Sequence, residues 1–169
     1  MYVSHVKLRN WRNFREVDVG LGERVFLVGP NASGKSNFLG ALRFLRDVAK
    51  PGGGLQKAVE DHGGVSKIRC LAARRHPDVE LEIELSDKET DIEPAWRYAL
   101  GLKQQPRGDR KPYVAYERVW QAGTEILSRP DDDDTSDELR LTQTHLEQIS
   151  LNAPFREISK FLESVLYLH

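Results

Sequence analysis

One cysteine, Cys70, stands among the 169 residues, so the chain can form no internal disulfide and no multi-cysteine metal site, as suits a reducing cytosol. Neither sign of charge is in excess. Lys plus Arg number 25 against 26 Asp plus Glu, a net of -1, so no global basic field points to nucleic acid and any such contact must come from a local patch. The opening MYVSHVKLRN lacks the apolar run of about 7 to 15 residues that forms a signal-peptide core. Nowhere is there the run of about 20 that a membrane-spanning helix needs, and no internal repeat is found. These absences make a soluble cytoplasmic protein, with no membrane partner, the expectation. What is present is an apolar fraction of 39%, enough to bury the core of one domain.

Val6–Arg9 (VKLR) and Glu16–Leu21 (EVDVGL) alternate apolar with polar residues and predict half-exposed antiparallel strands. RVFLVG, from Arg24 to Gly29, is apolar at four consecutive positions and predicts a strand buried on both faces. From Ser36 the spacing changes to three and four residues, with Phe38, Leu42 and Leu45 on one stripe and Ala41 and Val48 beside it. That pattern predicts an amphipathic helix stopped near Ala49 by KPGGG. The chain therefore divides into strands, loop and first helix over 1–50, and a glycine-rich loop with one short helical turn over 51–78. An antiparallel meander follows over 79–128, where Val79, Leu81, Ile83 and Leu85 alternate with acids, Trp96, Tyr98, Leu100 and Leu102 repeat the period, and a hairpin turns near Ala122 and Gly123. Residues 129–138 hold four consecutive aspartates and read as a solvated acidic loop, with a metal site as the sharper alternative. In 139–169, LRLTQ predicts a short strand, and a last helix opens with Asn152 as N-cap and Pro154 in its first turn. Its stripe is Phe155, Ile158, Leu162, Val165 and Leu166, and it runs on to His169 with no stop signal.

Gly29-Pro30-Asn31-Ala32-Ser33-Gly34-Lys35-Ser36 satisfies G-x-x-x-x-G-K-[ST], a phosphate-binding loop between a predicted strand and a predicted helix. Glycine at 29 and 34 lets successive backbone N–H groups turn inward around an anion, and the helix start adds unpaired donors and the positive end of its dipole. Lys35 would reach the β- and γ-phosphates and the Ser36 hydroxyl would bind Mg²⁺.

The neighbourhood of the loop narrows its class. VKLRNWRNFREVDVGLGERVFLVGPNASGKSNFLGALRFL resembles the ATPase heads of the RecF and SMC type, including the OLD-like AAA-family ATPases. Their aromatic-Arg-x-aromatic segment after the first strand is matched by Trp11, Arg12, Asn13 and Phe14. Their G-P-N-x-x-G-K-[ST]-N loop is matched by Gly29 to Asn37. The resemblance covers roughly the first 48 residues and implies an α/β fold: a P-loop NTPase of the ABC-ATPase head type, of which this chain is a partial, N-terminal lobe. A mixed sheet joined to the antiparallel meander is then expected. Arg12 would lie near the phosphates of ATP, together with Pro30, Asn31, Ala32, Ser33, Gly34, Lys35, Ser36 and Asn37. LRLTQ is similar to the strand leading to the family's Q-loop, making Gln143 the Mg²⁺-side glutamine, with Gln148 as the competing candidate. Lys67, Arg69, Arg74 and Arg75 form a local basic cluster that either touches DNA or balances the acids of the following strand.

Hydrolysis in that class requires an apolar strand ending in Asp-Glu, and Asp137-Glu138 instead follows Thr135-Ser136 in a polar stretch. No L-S-G-G-like signature occurs either. The resemblance puts both elements in the C-terminal half of a head that closes head-to-head on a second copy, so no catalytic residue is assigned here. The expected function is the ATP-binding lobe of a DNA-processing ATPase in repair, chromosome maintenance or phage defence. A transporter ATPase subunit is a weaker alternative, because the span from Lys35 to Gln143 is long for it. A non-catalytic nucleotide-responsive module is a third reading. ATP is preferred to GTP because of the resemblance and because no N-K-x-D motif is present.

Overall fold

A computed structural model describes residues 1–71, 78–105 and 111–166. Among these residues six strands form a single sheet in the order β2-β1-β3-β4-β5-β6. They are β1 (Tyr2–Trp11), β2 (Phe14–Gly20), β3 (Val79–Ser86), β4 (Trp96–Gln104), β5 (Pro112–Gln121) and β6 (Thr124–Arg129). Every pairing between neighbouring strands is antiparallel. The expected mixed sheet is corrected on this point, while the α/β class and the meander stand.

Alternation decides which face of the sheet is buried. Val79, Leu81, Ile83 and Leu85 are at most 1% exposed, whereas Glu80, Glu82 and Glu84 between them are half-buried on the wet face. The inner face packs against α1 (Lys35–Ala49), α2 (Leu55–Asp61) and α5 (Arg156–Glu163), with Phe44, Leu45, Val48, Leu55, Ile158 and Leu162 at the centre of the core. The β5–β6 hairpin turns at Ala122 and Gly123, both with positive φ, as a two-residue primed turn requires.

Four expectations fail for local physical reasons. Arg24–Gly29 forms no strand: Phe26 is 88% and Val28 91% exposed, and no strand among the described residues pairs with the segment. An apolar run becomes a central strand only where neighbours satisfy its backbone on both sides. The described part of 51–78 holds two helices, α2 and the short α3 (Val65–Ile68); at the start of α2 a remote carboxylate, Glu147, accepts the N–H of Leu55 at 2.8 Å. The acidic run folds as α4 (Asp132–Ser136), begun by a capping box in which Asp131 and Asp134 accept each other's backbone N–H. LRLTQ is a 3-10 turn, Glu138–Thr142, rather than a strand; Asp137 caps it and Arg129 binds the Arg140 carbonyl.

The last helix also differs. Asn152 makes no side-chain cap; its amide donates to the Leu146 carbonyl at the head of a 3-10 turn, Ala153–Phe155, that leads into α5. Phe155, Ile158 and Leu162 are buried as expected, but α5 ends at Glu163, Val165 is only half-buried and Leu166 is 82% exposed. The continuation to His169 falls outside the described residues, as do Arg74 and Arg75.

Candidate nucleotide-binding site

β1 and β2 are joined by Arg12 and Asn13, and this tight turn carries the site. Arg12 has φ 50°, in the left-handed region that costs a non-glycine residue energy, and its N–H donates to the Ile68 carbonyl at 2.6 Å. On the same edge of β1, the Cys70 N–H donates to the Asn10 carbonyl at 2.8 Å. The segment after α3 thus holds the turn in place from one side.

From the other side α1 holds it. The Trp11 indole N–H donates to the Asn37 carbonyl at 2.7 Å, and the Asn37 amide donates to Asn13 Oδ1 at 2.7 Å. Gly34, at φ 103°, starts the helix so close to this turn that a Cβ there would lie 2.6 Å from Asn13 Nδ2 and 2.8 Å from Phe14 Cζ. Only glycine fits both the backbone conformation and the space. Ala32 also has positive φ, at 62°, so the loop turns sharply on each side of Ser33. The Lys35 ammonium bridges the Gly29 and Pro30 carbonyls at 2.7 and 2.8 Å, which draws the loop around its side chain.

Three clefts meet at this junction. One, of about 240 Å³, is lined by Arg12, Ser36, Asn37, Gly40, Arg43 and His62, with Asp61 at its edge. The second, of about 670 Å³, lies between Arg12, Asn13 and Asn37 on one wall and Ser66 to Leu71, Ile68 excepted, on the other. Lys67 and Arg69 of the basic cluster therefore flank Arg12 itself. A third cleft, of about 770 Å³, is lined by Arg24–Pro30 and Ser33–Lys35 together with Phe14, Val17, Val19, Leu21 and Phe38. Gln143 lines none of the three; it is exposed, and its carbonyl accepts from Arg129. Gln148 is half-buried with its amide donating to the Thr144 carbonyl.

Sequence reasoning passed over two residues here. His62 places Nδ1 3.2 Å from Arg12 Nη2 and Nε2 3.1 Å from Asp47 Oδ2. Burial raises the Asp47 pKa, but hydrogen bonds from Lys50, Arg46 and His62 outweigh it and hold the carboxyl at about 2. His62 is lowered, first by burial and then by the charges of Arg12 and Arg43, against the pull of Asp47. The available signal was Asp47 itself, an acid inside the apolar stripe of α1 between Phe44 and Val48, where a charge needs a partner.

A comparison with protein-family models matches residues 24–168 to the family described as "AAA domain, putative AbiEii toxin, Type IV TA system". The chain belongs to this AAA-domain family and is similar to RecF proteins and to the endonuclease GajA. Curated relatives agree. The DNA replication and repair protein RecF of Chloroflexus aurantiacus is 42% identical over 142 residues, 78% of this chain and 35% of that protein. The RecF of Chloroflexus aggregans is 29% identical over 141 residues, again 78% and 35% of the two chains. Endonuclease GajA of Bacillus cereus is 34% identical over 92 residues, 54% of this chain and 14% of that protein. The match thus spans about a third of the length of these two RecF proteins.

The residues suit a nucleotide chemically. The AAA domain offers a loop cradle whose Gly34 has no room for a Cβ, a lysine at the loop, and a guanidinium whose buried Nε has no hydrogen-bond partner among the described residues. Ser36, exposed at the start of α1, presents a hydroxyl of the type that serves Mg²⁺. No helix among the described residues is long and apolar enough to cross a membrane.

Proposed function

We propose that this chain is the ATP-binding lobe of a DNA-processing ATPase acting in repair, chromosome maintenance or phage defence. In this reading Gly29 to Asn37 and Arg12 hold the triphosphate, Ser36 serves Mg²⁺, and the groups that cleave the phosphate bond lie outside the chain. The observation that carries it is the convergence of the Arg12–Asn13 turn and the first turn of α1, locked together by Trp11, Asn13 and Asn37. A guanidinium can pair bidentately with phosphate oxygens, and the helix start supplies free N–H donors beside it.

Two observations support a site completed from outside the described residues. The sequence holds no apolar stretch ending in Asp-Glu, and the apolar segment Val25–Val28, next to the loop, pairs with no strand among the described residues. A further lobe of the same ATPase domain would supply both, and a head-to-head homodimer would close the site. The relatives' printed names, a replication and repair protein and an endonuclease, favour DNA as the material acted upon.

Titration of the full-length protein with a fluorescent ATP analogue tests this. Lys35→Ala is expected to weaken binding by about tenfold or more, since a charge-assisted contact is lost. Binding as tight as wild type would overturn the reading. ATP turnover by this chain alone equal to that of the full-length protein would overturn the assignment of the hydrolytic groups elsewhere.

A further inference from the structure

Arg12 is the long, flexible member of the site, and its side chain is not left to find its own direction. A guanidinium only donates hydrogen bonds, so the contact of Arg12 Nη2 with His62 Nδ1 at 3.2 Å requires Nδ1 to be the acceptor. The ring proton then sits on Nε2, which donates to Asp47 Oδ2 at 3.1 Å. Asp47 is itself anchored on its other oxygen, which accepts from Lys50 Nζ at 2.8 Å and from Arg46 Nη2 at 2.9 Å. Hydrogen-bond donation runs one way, from the arginine through the ring to Asp47 of α1.

The ring is fixed mechanically as well. The His62 side chain is 5% exposed and Asp47 4%. Phe44 meets the imidazole edge-on with centroids 5.4 Å apart, and Trp11 lies 6.4 Å away. The charged groups facing the ring are Asp47 and Arg43 from α1 and Arg12 from the β1–β2 turn. Beyond the contact with His62, the arginine crosses the face of Gly40, where a Cβ would come within 3.8 Å of its Nε, and it borders the cleft shared with Ser36.

We propose that His62, oriented by Asp47, is a positioning residue that holds the Arg12 guanidinium toward the phosphate end of the nucleotide site. The inference rests on the reading of Arg12 as a phosphate contact. Its physical content is preorganisation: the rotamer freedom of the arginine is given up on folding and not when nucleotide arrives. Because the ring works as an acceptor on one side and a donor on the other, a side chain with both capacities can replace it and an apolar one cannot.

The test titrates the full-length protein and its variants with a fluorescent ATP analogue in Mg²⁺, with thermal melting to confirm folding. His62→Leu, which keeps apolar volume beside Trp11 and Phe44, is expected to weaken ATP binding by about tenfold, the scale of a lost charge-assisted contact. His62→Gln, carrying an acceptor and a donor on one amide, is expected to recover most of that loss. In an Arg12→Ala background His62→Leu should cost nothing further, because a positioning residue has nothing left to position. Asp47→Ala, which leaves arginine and ring in place but removes the anchor, should weaken binding in the same direction.

Wild-type affinity in His62→Leu, failure of His62→Gln to recover, or additive losses in the double variant would each overturn the proposal. The reading beneath it fails in a different pattern: Arg12→Ala binds ATP normally while Lys35→Ala does not. In that case the proposal falls with the phosphate role of Arg12.

Discussion

The Trp11 indole N–H and the Asn37 carbonyl, 2.7 Å apart, join the end of the first strand to the first turn of the helix that follows the phosphate loop. Trp11 is fully buried, and the same ring packs against Phe44 with centroids 5.4 Å apart. One side chain thus anchors the core and sets the distance between Arg12 and the loop. Trp11→Phe keeps an aromatic ring but leaves a helix carbonyl unpaired and a gap beside it. A loss of about 2 to 4 kcal/mol is expected by urea denaturation, with weakened nucleotide binding in parallel.

Arg129 is 1% exposed and joins Glu117 at 2.9 Å to Asp134 at 2.8 Å, while Glu117 also accepts from Tyr98 and from the N–H groups of His145 and Leu146. Arg129→Met would strand two carboxylates in the interior, which costs about 3 to 5 kcal/mol. Equilibrium denaturation measures it. A variant as stable as wild type would show that the carboxylates are paired by other means.

Acid sensitivity follows from Asp47. Its folded pKa of about 2 lies below its ordinary 3.8, so the stability it confers is present above 3.8 and is lost as the pH falls toward 2. The difference corresponds to about 2 kcal/mol. Asp47→Asn is expected to be less stable than wild type at pH 7, with the gap closing between pH 4 and pH 2 in denaturation curves. A gap that persists at pH 2 would contradict the assignment.

At the β5–β6 turn, Ala122 has φ 45° ahead of Gly123 at 76°. Asparagine tolerates that conformation better than alanine, so Ala122→Asn should stabilise the protein by about 0.5 to 1 kcal/mol. Thermal melting would register it as a rise in Tm.

Period-two alternation located β3 and β4 and the turn at Ala122 and Gly123 located β5; in β3 one side meets the core and the other is half-exposed, a difference written residue by residue. The start of α1 was equally legible, since Gly34 takes the positive φ that a glycine permits just ahead of the helix. α2 was not, because the carboxylate that closes its start, Glu147, is remote in the chain. The acidic run misled for the same reason. Asp134 is buried only because Arg129 and Arg140 reach it. Arg24–Gly29 misled in the opposite sense, since its apolar side chains suit a buried strand but no neighbour among the described residues pairs with its backbone.

What the sequence determined by itself is therefore a glycine-containing loop ahead of the first helix and the strands of the meander, all set by short-range periodicity and turn chemistry. Only the tertiary structure decided that the sheet is antiparallel throughout. It alone also brought His62 and Asp47 together with Arg12 and made Glu117, Arg129 and Asp134 one buried group. Those outcomes depend on which distant side chains meet in a low-dielectric interior, where an unpaired charge or donor is costly and each polar group must find a partner.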